Sequence, residues 1–179
     1  MSFDKLDYCS SLNNARLLQS EKPGNFHFFH GDATIAADVI KCLQKHNIDT
    51  VFHLAAHTHV DLSFVNSYKF TMNNVVGTHV LLESIKEYGK VQRYYHISTD
   101  EVCLVLEKIL TLTYADHSRC TARHSRPTWR RTASWSKAAA EMMVKGYVKS
   151  HGLPAVMIRL NNVMDPHQVR APEMLKRRT

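Results

Sequence analysis

Between residues 25 and 160 the chain alternates two hydrophobic periods, and that alternation constrains its fold more than any other feature. "NFHFFHGD" (25–32) is a short aromatic run ending in Gly-Asp and predicts a strand. "TIAADVIKCLQKHNI" (34–48) sets Ile35, Val39, Ile40 and Leu43 at helical spacing behind Thr34 or Asp32 as N-cap. "DTVFHLAA" (49–56) predicts a buried strand. "NNVVGTHVLLESIKEYG" (73–89) predicts a helix with Val76, Val80, Leu81 and Ile85 on one face and Gly89 at its C-terminal end. "VQRYYHIST" (91–99) predicts a strand, "SKAAAEMMVKGYVKSHG" (136–152) a helix closed by Gly152, and "PAVMIRL" (154–160) a strand. A repeated β-α order implies an α/β chain with a parallel sheet and helices on its faces. Ligands of such sheets bind outside the carboxyl ends of the strands. Polar residues concentrate there, in "FDKLD" (3–7), "GDA" (31–33), "AAHTHVD" (55–61), "STDEV" (98–102) and "NNV" (161–163).

A chain of 179 residues, 44% of them hydrophobic, has the length and apolar content of one domain with a buried core. No run approaches the ~20 apolar residues of a membrane span, and "MSFDKLDYCS" lacks the apolar middle of a signal peptide, so the expected location is the cytoplasm. Cys9, Cys42, Cys103 and Cys120 form no C-x-x-C pair, which leaves free thiols as the expectation. The net charge of +7 is local: residues 103–137 carry a net +5 and residues 170–179 a net +3. "HTH" (57–59) with His53 is read as a strand end and not as a metal site, and Met142 and Met143 are read as core.

The strand-end segments, in their order, resemble the extended short-chain dehydrogenase/reductase superfamily, and most closely its dTDP-glucose 4,6-dehydratase family. The resemblance covers 1–102 and 134–175 and implies an incomplete Rossmann-like doubly wound sheet, lacking the first β-α unit and the C-terminal substrate domain. It implies NAD as cofactor and a nucleotide-diphospho-sugar as substrate. By position, Asp4 matches the acidic residue on the adenosine ribose, and Asp32 and Ala33 the adenine contact. Leu54, Ala55 and Ala56 match the backbone beneath the cofactor, and Thr58 and Asn162 match contacts to the nucleotide sugar. Thr99 matches the hydroxyl that orients the sugar at carbon 4. Lys137 matches the lysine that binds the nicotinamide ribose and lowers the pKa of a tyrosine. Asp100 and Glu101 match the acid and base of the elimination across carbons 5 and 6, a reaction that needs two carboxyls with different proton affinities. Asn74 and Gly77 are expected in helix packing and hydrogen bonding near the cofactor.

Three departures qualify the expectation of activity. The superfamily's Tyr-x-x-x-Lys motif would place tyrosine four residues before Lys137, where the chain has Ala133. None of the six glycines forms a G-x-G-x-x-G spacing, so the chain reads as beginning after the phosphate loop and the first strand. Residues 103–133, "CLVLEKILTLTYADHSRCTARHSRPTWRRTA", leave the family pattern and read as an aberrant, disordered basic loop, out of frame or retained non-coding sequence. The expected organisation is a partial NAD-binding domain over 1–102 and 134–169, with 170–179 as a basic tail. The expected function is a truncated, inactive member of the dehydratase lineage. The alternatives are a non-catalytic interaction remnant, as a homo-oligomer or bound to a full-length relative, and a nucleic-acid binder using Arg119 to Arg131.

Overall fold

The structure is a computed structural model that describes residues 1–7, 10, 15–16, 19–20, 24–58, 66–103 and 132–161. Asn162, most of the basic segment and the C-terminal tail therefore lie outside the described residues. Contacts divide the chain into two units, whose described parts fall within Met1–Asp32 and Ala33–Asn161.

In the first unit, β1 (Ser2–Asp4) pairs in parallel with β2 (Phe28–His30), Phe3 opposite Phe29. The two rings stack at 5.7 Å, which fixes the register of a short ladder. Gly31 N–H donates to the Asp4 carbonyl at 3.2 Å and carries the ladder one step past β2.

The second unit holds a parallel three-stranded sheet in the order β3 (Thr50–His53), β4 (Arg93–Thr99), β5 (Ala155–Leu160). Helix α1 (Ala36–Lys45) lies against α3 (Gly77–Tyr88), α3 against α4 (Thr132–His151), and α4 against β4 and β5. The α/β class and the parallel pairing follow the expected alternation. In α1 the helical spacing works as read, burying Val39, Cys42 and Leu43. Its cap differs: Ile35 is the N-cap residue, and its side chain makes no capping bond. The helical run before β4 begins earlier than residue 73. A short turn, α2 (Ser67–Phe70), capped by Asn66 accepting from Lys69 N–H at 3.3 Å, continues through a π-helical stretch (Thr71–Val76) into α3. Gly89 ends α3 at φ +70°, a left-handed conformation that suits glycine, and Gly152 follows α4 at φ +65°.

Helix α4 also starts early, at Thr132, so Ala133 and Ser134 belong to it and not to the preceding segment. It buries Ala133, Ser134, Ser136, Ala138, Ala140, Glu141, Val144 and Tyr147. Five of these eight are alanine or serine. Met142 faces away and is 57% exposed, contrary to its expected core position. The strand expected over 49–56 is the shorter β3 (Thr50–His53), in which only His53 is buried. His53 is buried, while Phe52 and Leu54 are 60% and 64% exposed, because pleating sends alternate side chains to opposite faces. Phe52 instead stacks on Tyr95 of β4 at 4.5 Å. Central β4 alternates cleanly, with Tyr94, His96 and Ser98 buried.

Candidate active site

The carboxyl end of β4 is closed by its own polar residues. Thr99 Oγ1 accepts the Glu101 N–H at 3.3 Å and donates to Asp100 Oδ1 at 3.2 Å. Cys103 N–H donates back to the Asp100 carbonyl at 3.1 Å, which turns the chain out of the sheet in one helical turn. Asp100 N–H still bonds the Leu160 carbonyl at 3.2 Å, so the turn starts from a fixed point on β5. The structure thus brings Thr99, Asp100 and Glu101 together as one locally hydrogen-bonded group.

Helix α4 supplies the other half. Lys137 Nζ donates to the Ile97 carbonyl at 2.8 Å. Burial lowers its pKa to about 8, with the Glu141 carboxylate pulling the other way. One turn earlier, the Ala133 methyl is 8% exposed. Ser134 Oγ donates to Glu101 Oε2 at 2.5 Å, joining the start of the helix to the β4 turn. The sequence reading missed this serine, since nothing in the spacing of Glu101 and Ser134 marks them as neighbours.

Behind these groups lies a buried polar layer. His53 Nε2 and Thr78 Oγ1 are 3.0 Å apart, and the His53 and His96 rings 5.5 Å apart. Burial, then the charges of His96 and Lys137, lowers the His53 pKa to about 3. Burial and Lys137 bring His96 to about 4, opposed by Glu141. Burial also raises the Tyr94 phenol above its ordinary range. Glu141 is fully buried, and burial pushes its pKa up. The Arg159 guanidinium, with Nε at 2.9 Å from Oε1 and a terminal nitrogen at 2.7 Å from Oε2, more than offsets this and keeps the carboxyl below its ordinary value. Arg159 also reaches Cys103 Sγ at 3.2 Å. This ties β5, α4 and the β4 turn together.

Asn74, 1% exposed in the π-helical stretch, is the second connector. Its Oδ1 accepts His57 N–H at 2.7 Å, and its Nδ2 donates to the His57 carbonyl at 3.0 Å and to Ser136 Oγ at 2.9 Å. The backbone beyond β3 is thereby held to α4 one residue before Lys137. The expectation of hydrogen bonding at Asn74 is met. Gly77 is buried beside Thr34 and Ala33, where an added Cβ would meet them at 3.5 and 3.9 Å, which agrees with a packing role. Of the remaining predicted site residues in this unit, Leu54, Ala55 and Thr58 are exposed and Ala56 is half-buried.

In the first unit Asp4 Oδ1 accepts Leu6 N–H at 2.6 Å and the Ser10 hydroxyl at 3.4 Å, with Leu6 at φ +56°. Lys5 Nζ lies 3.5 Å from Asp7 and 3.8 Å from Asp32. Asp4 and Asp32 are thus placed by a local turn at the ends of β1 and β2. Among the described residues no cluster of His, Cys, Asp and Glu could hold a metal ion, and no helix is long and apolar enough to cross a membrane. Cys42 and Cys103 are free.

This arrangement of parallel strands and polar strand ends has known counterparts. A trifunctional UDP-glucose 4,6-dehydratase/UDP-4-keto-6-deoxy-D-glucose 3,5-epimerase/UDP-4-keto-L-rhamnose-reductase of Arabidopsis thaliana is 44% identical over 172 residues, covering 96% of this chain and 24% of that protein. The dTDP-D-glucose 4,6-dehydratase of Dictyostelium discoideum is 41% identical over 168 residues, covering 92% of this chain and 38% of the relative. Among solved structures, the dTDP-glucose 4,6-dehydratase DesIV of Streptomyces venezuelae, with NAD bound, superposes with a TM-score of 0.74 at 29% identity, over 93% of this chain and 47% of DesIV. The chain therefore spans less than half the length of each of these relatives. The family model described as GDP-mannose 4,6 dehydratase matches residues 2–176. With that match over nearly its whole length, the chain belongs to the GDP-mannose 4,6 dehydratase family of nucleotide-sugar 4,6-dehydratases, a partial Rossmann-fold member.

Proposed function

We propose that the chain keeps the elimination residues of a dTDP-glucose 4,6-dehydratase and lacks the phenol that begins its cycle, so that it does not turn over. In this reading Glu101 takes the carbon-5 proton, Asp100 delivers a proton to the departing carbon-6 hydroxyl, and the two leave a double bond and water. Thr99 and Thr58, with Asn162, orient the sugar. Lys137 holds the nicotinamide ribose, and its charge would make a phenol one helical turn earlier, where Ala133 stands, a usable base. NAD, when bound, supplies the hydride acceptor for oxidation at carbon 4. The described residues fit the nicotinamide end of such a cofactor. Small side chains at Ala55 and Ala56 leave the backbone beyond β3 open to close approach, and the Lys137 ammonium sits beside the end of β4. Asp4, Asp32 and Ala33 are the proposed adenosine contacts, and Leu54 lies in the same open stretch.

One observation carries the inactive reading. A methyl group, Ala133, stands one helical turn before Lys137, where a phenol would share its face. Loss of such a base commonly costs about 10² to 10⁴ in rate. Incubating the purified chain with NAD and dTDP-glucose and searching chromatographically for a 4-keto-6-deoxy sugar nucleotide tests it. Ready turnover would contradict the reading.

A second reading, an interaction module that pairs with a full-length relative, draws on the sheet itself. Among the described residues β3 is an edge strand of its three-stranded sheet, and Phe52, Leu54 and Val156 are exposed. Sedimentation of the chain mixed with such a relative would reveal a mixed species if this reading holds.

A further inference from the structure

We propose that Ser134 is the positioning residue of Glu101, holding the carboxylate in the orientation that lets it act as the carbon-5 base. The inference rests on the reading of Glu101 given above and deepens it. Ser134 lies in the first turn of α4 and is 1% exposed, and its hydroxyl donates to Glu101 Oε2 at 2.5 Å, a charge-assisted contact. A serine inside a helix can turn back to a carbonyl three or four residues earlier. Ser136 does so, bonding the Ala133 carbonyl at 2.8 Å. Ser134 instead reaches across to another element.

A glutamate side chain loses three freely rotating torsions when it is fixed, and a base is effective only when its oxygen stays aimed at the proton. Ser134 commits Oε2 to the helix. The same helix carries Lys137, whose ammonium is anchored on Ile97. The start of α4 is thus pinned to β4 and to its turn at two points, which sets the base and the lysine in one register. Ser134 directly follows Ala133, so this support survives in a helix without the phenol.

The test uses the full chain and a version carrying Ala133→Tyr, each with Ser134→Ala or Ser134→Thr. Carbon-13 relaxation at Glu101 Cγ reads the side chain's mobility without requiring activity. We expect mobility to rise in Ser134→Ala and to return to its starting value in Ser134→Thr, which keeps the hydroxyl. In the Ala133→Tyr background we expect Ser134→Ala to lower kcat about tenfold with KM unchanged, and Ser134→Thr to restore it. A purely structural serine would instead move kcat, KM and melting temperature together. Unchanged Glu101 mobility in Ser134→Ala overturns the proposal, as does raised mobility with unaltered kcat. If Ala133→Tyr shows no turnover, the dehydratase reading fails by itself, and the relaxation measurement still decides the Ser134 contact. Should Ser134→Ala not fold, Ser134→Cys, with similar volume and a weak donor, takes its place in both measurements.

Discussion

Lys137 donates to the Ile97 carbonyl at 2.8 Å from one helical turn beyond Ala133, so the positive charge reaches the strand end while the side chain it would act on is a methyl. Burial, more than any neighbouring charge, sets the proton affinity of this lysine. A carbon-13 titration at Lys137 Cε should give a midpoint near pH 8. The folded pKa lies below the ordinary 10.5, so the unfolded chain binds more protons between about pH 8 and 10.5, and the lysine's contribution to stability rises with pH across that window. A midpoint at 10.5 would show that the amine is solvated and not held against β4.

Acid should unfold the second unit. His53 and His96 are buried as neutral rings with pKa values of about 3 and about 4, against 6.5 when unfolded. Below pH 6.5 the unfolded state takes up protons that the folded state refuses. Stability therefore falls as pH drops, by up to about 1.4 kcal/mol per pH unit for each ring. Urea midpoints at pH 7.5 and pH 5 measure the slope. His53→Gln, which can still bond Thr78, should flatten it, and an unchanged slope would place the proton uptake elsewhere.

Asn74→Ala should cost about 2 to 4 kcal/mol in urea denaturation. It strips partners from the His57 N–H, the His57 carbonyl and the Ser136 hydroxyl at a buried site. Asn74→Asp should not rescue it, because a carboxylate cannot donate to the His57 carbonyl. A cost below about 0.5 kcal/mol would mean that water replaces the amide.

Arg159→Met should destabilise by about 3 kcal/mol at neutral pH, because Glu141 is fully buried and would lose its counter-charge. The loss should shrink in acid as Glu141 protonates. Adding Glu141→Leu should recover most of it, since removing both charges leaves no buried ion. A double variant as unstable as the single one would show that the pair's shape, and not its charge, holds α4 on β5.

The parts of the fold legible in the sequence were those set by local chemistry. The helical spacing of Val39 and Leu43 and the left-handed glycines at 89 and 152 act within a few residues, and each appears where the pattern implies. Features decided by tertiary packing were not legible. Phe52 and Leu54 read as buried strand residues, yet Phe52 is exposed on β3 and Leu54 is exposed beyond its end. Met142 reads as core, but the small residues of α4 take the inner face. Ile35 replaces the expected polar cap, because the helix starts one residue later than the hydroxyl at Thr34 would require. At the site, resemblance pointed to Thr99, Asp100, Glu101 and Lys137. It could not reveal that Ser134 and Arg159 brace the β4 turn, since those bonds join residues 33 and 56 positions apart in sequence.

In the proposed reading, Ala133 in place of a tyrosine removes the base for oxidation at carbon 4. This is tested most directly by measuring conversion of dTDP-glucose to its 4-keto-6-deoxy product, with NAD present, by the chain and by its Ala133→Tyr variant at equal concentration. No detectable product is expected from the chain, and a rate at least about 10² higher from Ala133→Tyr. Equal rates in the two proteins, whether both measurable or both absent, would contradict it.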